Sequence, residues 1–437
     1  MSKKKKKILA LYRRIGTLAF LAAMALGCFV GALFFFRPST STVEKRKLTA
    51  FPSFDISGFL DGSFFSGVST WYADTYPGRD TLIAANQKVQ SKYGIESSTQ
   101  MVGTAKQSDE IPTEKGASTK KKTKKEKVEV PTQNYLEEDM QANIMGNLYV
   151  KDGAAYSMYY FLQEAVERYT DAINHGADQL EGTTTVYSIL LPNQSGMLDK
   201  KTQAKLGGAD QEEAIDYFIS LYNDNVHSVD AYDALWPHRD EYLYFRTDHH
   251  WTTKGAYYAY KAFCEEKGIK PHKLSYFKKT MTFEPFLGTF YTELQNSEMA
   301  ANPDSVTAYV PNGTNELTYW NEDGTEISGQ IIQDVSDWDE SSGYYCFICG
   351  DKPLTIIENP KVDDGSSCLV VKESYGNAFI PFLVDHYSKV YIIDFRYTDK
   401  NIVDYCKEEK IDDLIIINNI TLAGSDSVSA MLEEELS

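Results

Sequence analysis

From about residue 134 onward, near-continuous apolar runs alternate with patterns in which apolar positions recur every three or four residues. "TTTVYSILLP" (183–192), "SCLVVK" (367–372), "KVYIID" (389–394) and "DLIIIN" (413–418) have the length and β-branched content of strands. Between them, Leu162, Ala165, Tyr169 and Ile173 share one helix face, and Ala214, Phe218 and Leu221 share another ahead of "NVHSVDAY". "AFIPFLVDHY" (378–387) and "NIVDYCKEE" (401–409) read as further helices. Strands that are apolar on both faces and joined through helices predict an α/β fold, with a mostly parallel sheet flanked by helices. Residues 269–345 break the pattern. "GTFYTEL" and "LTYWNEDGTEISG" are rich in Tyr, Thr, Gly and Asn, which predicts a β-rich insertion forming one wall of a cleft. No internal repeat is evident.

The N-terminal part follows a different logic. A basic tail (1–14) with Lys3 to Lys7, Arg13 and Arg14 precedes an uncharged run, 15–36, of the length that spans a bilayer. The positive cluster ahead of it predicts a single-pass transmembrane helix, with the N-terminus cytoplasmic and the main domain extracytoplasmic at the cell membrane. A cleaved signal peptide fits less well, because "FVGALFFFRPS" offers no small-residue cleavage site. Cys28 in "ALGC" invites lipidation, but Ala25 stands where such a site usually has Leu.

Residues 44–96 read as a membrane-proximal helical segment, with Phe59, Phe64, Val68 and Trp71 near helical spacing and Pro77 as a stop. Residues 97–133 hold a lysine block and no aromatic residue, which predicts a disordered linker; its Lys run is suited to an anionic cell-surface polymer. The main domain is 134–437.

The formal charge of −18 divides into +11 over residues 1–132 and −29 over 133–437. An acidic folded body argues against nucleic acid as a partner, since phosphate binding needs clustered Lys and Arg. Beyond the apolar run lie Cys264, Cys346, Cys349, Cys368 and Cys406. "YYCFICGD" has CxxC spacing but apolar surroundings and no second pair, so buried small hydrophobes are expected rather than zinc ligands.

Candidate chemistry concentrates in "YFRTDHHWTTKGAYYAY" (244–260). "EYLYF" reads as a short strand and "TTKGAYYAYKAFCEEKG" as a helix stopped by Gly268, so Asp248 to Trp251 occupy a loop leaving a strand, where sites of open α/β sheets form. A metal site would take both His249 and His250, but adjacent side chains tend to diverge and no HxxxH lies nearby; no metal or other cofactor is expected. Asp248 and His250, spaced i and i+2, fall on one side of an extended loop, where the carboxylate orients the imidazole.

The matching nucleophile is Ser374 in "LVVKESYGNAFIPFLVDHY", between a buried strand and a helix; a helix N-cap is the structural alternative. The turn amide of Gly376, together with Arg396, Asn193 and Asn418 at other strand ends, are candidate oxyanion or substrate-binding groups. Each has a plainer role: Arg396 in an ion pair with Asp394 or Asp399, the asparagines in turns. Trp236, Tyr319 and Trp320 are candidates to stack on sugar rings, or are simply core.

"TDHHWTTKGAYYAY" resembles the signature of the DHHW family, relatives of the SGNH-like alginate O-acetyltransferases, in which an Asp-x-His motif precedes the nucleophilic serine. "EKRKLTAFP", "FLDGSF", "YADTYPGRD", "LLPNQSGML", "VVKESYGNAFIPFL" and "IIDFRYTD" match more loosely, so the likeness spans most of residues 44–420. It implies an SGNH-like domain with Asp248, His250 and Ser374 as triad, the serine passing an acetyl group to a hydroxyl of a cell-surface polysaccharide or to water. His249 stays outside that triad. A transferase would also need a multi-span membrane acyltransferase as acetyl-donor partner. The chain ends soon after the last sheet element, without the C-terminal carbohydrate-binding module of some alginate enzymes, so glycan engagement is expected to fall to the cleft and the insertion. The alternative is a non-catalytic cell-envelope glycan-binding protein with a degenerate SGNH-like domain.

Overall fold

A computed structural model describes residues 142–437 continuously, together with 14–22, 24–27, 29, 37–41, 46–54, 59, 63–78, 81–82, 99–103 and 108–112. The chain divides into two compact units, Met1–Glu96 and Ser97–Ser437.

In the first unit, β1 (Thr40–Ser41) pairs antiparallel with β2 (Arg46–Lys47), and a helix spans Ser63–Asp74. The Arg37 guanidinium lies 3.9 Å from the centroid of the Trp71 ring and donates to Thr75 Oγ1 at 2.7 Å. Cation–π contact and hydrogen bond thus clamp that helix end. Among the described residues no helix is long and apolar enough to cross a membrane. Parts of the expected span at 15–36 lie outside the described residues, as does most of 97–133.

The second unit is built on a sheet of eight strands in the order β11-β10-β12-β14-β13-β15-β6-β7. These are β6 (Thr185–Leu191), β7 (Val226–Asp230), β10 (Glu316–Trp320), β11 (Glu326–Gln330), β12 (Leu354–Glu358), β13 (Ser367–Lys372), β14 (Lys389–Asp394) and β15 (Asp413–Asn419). β7, β6, β15, β13 and β14 run parallel, while β12, β10 and β11 extend the sheet antiparallel beyond β14.

Period-two alternation explains why the parallel strands are apolar throughout. Cys368, Val370, Ile415, Ile417 and Ile189 enter one core with the helix Thr253–Lys267. Leu369, Val371, Leu414, Ile416 and Leu190 enter a second core with the helices Gln163–Leu180, Gln211–Leu221, Ile402–Glu409 and Asp426–Glu435. Both faces are covered, as a parallel sheet requires. β8 (Lys279–Phe286) and β9 (Asp304–Val310) form a separate antiparallel pair packed on the first core.

Three local expectations are corrected. "EYLYF" is no strand; only an isolated bridge joins Tyr244 to Trp251, so the motif loop is a tight hairpin-like corner. The helix expected at 378–387 is broken into Ser374–Ala378, Ile380–Leu383 and Val384–His386, of which the first and last are 3-10 turns. Pro381 lacks the N–H that a continuous α-helix would direct at residue 377. Within the expected linker, β3 (Thr99–Gly103) pairs antiparallel with β4 (Asn147–Lys151), which pairs with β5 (Ala154–Ser157). Backbone hydrogen bonds to an existing edge order that segment, although its side chains are mostly exposed.

Candidate active site

The carboxyl ends of the parallel strands open on one side of the sheet, and the motif residues meet there. After β13 the chain turns through Glu373 and Ser374 into a 3-10 turn. Ser374 is partly exposed while Glu373, Tyr375 and Gly376 on either side are buried. Across from it, Thr252 caps the helix Thr253–Lys267, accepting from the Gly255 amide, and Gly268 ends that helix at φ +75°. This fixes the loop 248–251 against the turn, and the Trp251 indole N–H donates to the Tyr375 carbonyl at 2.9 Å.

Asp248 and His250 are both buried, and Oδ1 of Asp248 lies 2.6 Å from His250 Nδ1. His250 Nε2 lies 2.8 Å from Ser374 Oγ. Oδ1 also accepts the His250 amide at 2.9 Å, and Oδ2 accepts the amide and hydroxyl of Thr289 at 2.8 and 3.1 Å. Burial opposes ionisation of Asp248, but the two imidazoles and these donors outweigh it and hold the carboxyl below its ordinary value.

His249 does not diverge from its neighbour: the two imidazole centroids are 3.8 Å apart. Burial, reinforced by the charge of His250, pulls His249 down to about 3, so it is neutral near pH 7. Its Nδ1 lies 2.7 Å from Thr289 Oγ1. Asp248, His249 and His250 each offer one ligand atom within 4.8 Å of one another. Both Nδ1 atoms and both carboxylate oxygens are, however, engaged in the hydrogen bonds above.

Several groups at the site have no counterpart in the sequence reading. Tyr344 stacks on His250 with centroids 3.9 Å apart and donates its hydroxyl to the Ser374 carbonyl at 3.0 Å. Glu373 accepts from the amides of Tyr375 and Asn419 at 2.9 and 3.0 Å and from Ser374 Oγ at 3.3 Å. Burial pushes its carboxyl up despite those donors. Gln194, in the loop after β6, donates to the carbonyls of Asp248 and His249. Of these, Glu373 was findable from its place beside the serine and Gln194 from its place in "LLPNQSGML"; Tyr344 and Thr289 carry no local signal.

The expected oxyanion groups are mostly committed elsewhere. The Gly376 amide closes the turn on the Glu373 carbonyl at 3.0 Å. Arg396 pairs with Asp394 at 2.7 Å and Asp351 at 2.8 Å, and Lys372 joins both carboxylates, so the guanidinium serves a buried charge cluster. Asn193 accepts from Ser195 and Gln211 and donates to Thr421. Asn418 accepts from the Tyr169 hydroxyl at 2.9 Å, and its buried Nδ2 has no partner among the described residues. Trp236 stacks on Tyr232. Among the described residues there is no disulfide: Cys346 is buried and Cys349 half-buried, both as free thiols.

A family model described as "DHHW protein" matches residues 44–120 and 128–393. The chain belongs to the DHHW family. A solved DHHW family protein from Eubacterium siraeum is 29% identical with a TM-score of 0.59, covering 65% of this DHHW protein and 94% of its own length. Bacillus cereus PatB1 is 21% identical with a TM-score of 0.57, covering 64% and 98%. PatB1 solved with a sulfonyl adduct is 20% identical with a TM-score of 0.56, covering 64% and 97%. The PatB1 likeness shows a shared mixed α/β fold. No curated protein matches this DHHW protein in sequence.

Proposed function

We propose that this DHHW protein is a serine O-acetyltransferase or acetylesterase acting on a cell-surface polysaccharide. In this reading a single N-terminal membrane span holds it on the extracytoplasmic side, and a multi-span membrane acyltransferase delivers the acetyl donor. The observation that supports it is the unbroken hydrogen-bonded chain from Asp248 through His250 to Ser374, with links of 2.6 and 2.8 Å.

Ser374 Oγ adds to the acetyl carbonyl while His250 Nε2 takes the hydroxyl proton, and Asp248 holds the Nδ1–H and stabilises the imidazolium. Collapse expels the donor's leaving group, which takes that proton, and leaves acetyl-Ser374. An acceptor hydroxyl or water then gives its proton to His250 and attacks the acetyl-serine; the proton returns to Oγ as the ester or acetate leaves. The Ser374 amide, for which no acceptor is present among the described residues, is positioned at the start of the turn to receive the oxyanion.

The test is hydrolysis of p-nitrophenyl acetate by the purified full-length protein. Ser374→Ala and His250→Ala are each expected to lower the rate to background, and a sulfonyl fluoride should inactivate the parent with a mass adduct absent from Ser374→Ala. Parental rates in both variants would refute the reading.

A further inference from the structure

A cavity of about 720 Å³ lies beside the site, of the size usual for ligand pockets. Tyr319, Trp338, Tyr345 and Tyr397 supply its aromatic lining. Trp338 and Tyr345 are 51% and 52% exposed, the highest values for large hydrophobic side chains among the described residues of Ser97–Ser437. Among the described residues neither ring packs on another ring, and neither Trp338 Nε1 nor the Tyr345 hydroxyl has a hydrogen-bond partner. Two exposed aromatic faces converging on one cavity indicate a binding surface rather than core.

The cavity is tied to the catalytic groups through one turn. In Gly343–Cys346, Tyr344 is buried and stacks on His250, while the next residue, Tyr345, faces the cavity. Asp351, also in the lining, accepts from Asn377 in the turn after Ser374 at 2.9 Å and from Lys372 at 2.6 Å. Asp351 and the Tyr344–Tyr345 turn thus connect the cavity lining to the serine turn.

We infer that this cavity is the acceptor site and that it selects a neutral glycan over a polyanionic one. The inference rests on the proposed function for its link to acetyl transfer. Sugar rings offer apolar C–H faces to aromatic side chains and hydroxyl edges to planar amides and carboxylates, which Asn321, Gln333, Glu322 and Asp323 provide here. Charge decides between glycan classes. Lys352 is the one basic side chain in the lining, and its Nζ sits 4.8 Å from the Tyr319 ring centroid. Arg396 is taken by Asp351 and Asp394. A uronate or phosphate polymer would meet Glu322 and Asp323 on a body of charge −29 over residues 133–437, with no free guanidinium to receive it.

The experiment is calorimetric titration of the full-length protein with cellohexaose, xylohexaose, chitohexaose and hexagalacturonate. At least one neutral oligosaccharide is expected to bind, and about tenfold or more tighter than hexagalacturonate. The double variant Trp338→Ala, Tyr345→Ala should weaken that binding by about tenfold or more, with the urea unfolding midpoint of the parent retained. Trp338→Phe, which keeps an aromatic face, should retain binding and guards against a misfolded double variant.

Absence of binding by every neutral oligosaccharide, equal binding of hexagalacturonate, or parental affinity in the double variant would each overturn the inference. The two readings fail separately. Glycan binding that survives in Ser374→Ala, with no ester turnover in the parent, keeps the cavity assignment and removes the catalytic one. Ester turnover without glycan binding does the reverse.

Discussion

Asp248 is held by donors on every side, and this sets what substitution there does. Oδ1 receives the His250 amide and faces Nδ1, while Oδ2 receives the amide and hydroxyl of Thr289. In Asp248→Asn the new NH₂ must face one of these donors, and the imidazole loses the acceptor that fixes its tautomer. We expect kcat for acetyl-ester hydrolysis to fall by about 10⁴-fold, measured against correctly folded protein. Gly288 offers a second test. Its φ is −83°, so the backbone tolerates a side chain, but a Cβ there would lie 2.2 Å from Asp248 Oδ2. Gly288→Ala should therefore displace the carboxylate and lower kcat by about 10²-fold with the fold intact; a parental rate would show that the loop relaxes without cost. The i, i+2 spacing of Asp248 and His250 was legible in the chain, and so was a serine at a strand end. Gly288, Thr289 and Tyr344 were not, because they reach the site from another part of the fold.

The strands that carry the site were the most legible elements, since burial on both faces writes itself as an unbroken apolar run. Ile416 on β15 is fully buried in the core beneath the helices Gln163–Leu180 and Asp426–Glu435. Ile416→Ala is expected to destabilise the protein by about 2–5 kcal/mol, read from the urea midpoint. Elements ordered by neighbours rather than by their own pattern depart from the expectation their sequence sets. β3 has an exposed, polar sequence and exists through its backbone pairing with β4. The segment 378–387 has helical apolar spacing, yet Pro381 and the turn at Ser374 divide it.

At the scale of the whole molecule, an acidic body places carboxylates close together, and Glu435 shows the consequence. It is buried on the C-terminal helix, its Oε2 has no partner among the described residues, and burial with the charges of Asp394 and Glu434 holds its carboxyl well above 4.5. A carboxyl raised in this way stabilises the fold below about pH 4, and that contribution is lost as the pH climbs through the folded value. Glu435→Gln should therefore be more stable than the parent above pH 7 by on the order of 1 kcal/mol or more, the gap closing toward pH 4. Equal differences at both pH values in urea unfolding would contradict this.

The sequence alone determined the α/β class, the sheet's parallel strands, the helix after the DHHW loop, and the presence of an aspartate, a histidine and a serine in loops at the sheet's edge. All of these depend on local periodicity or short spacing. Only the tertiary structure decided that His250 and Ser374, 124 residues apart, lie 2.8 Å from one another. It also decided that Gly376 and Arg396 spend their donors internally, and that Trp338 and Tyr345 line one cavity. The physical reason is that hydrogen bonds and ring contacts are satisfied by whatever the fold brings within about 3–4 Å, and chain order does not encode that distance.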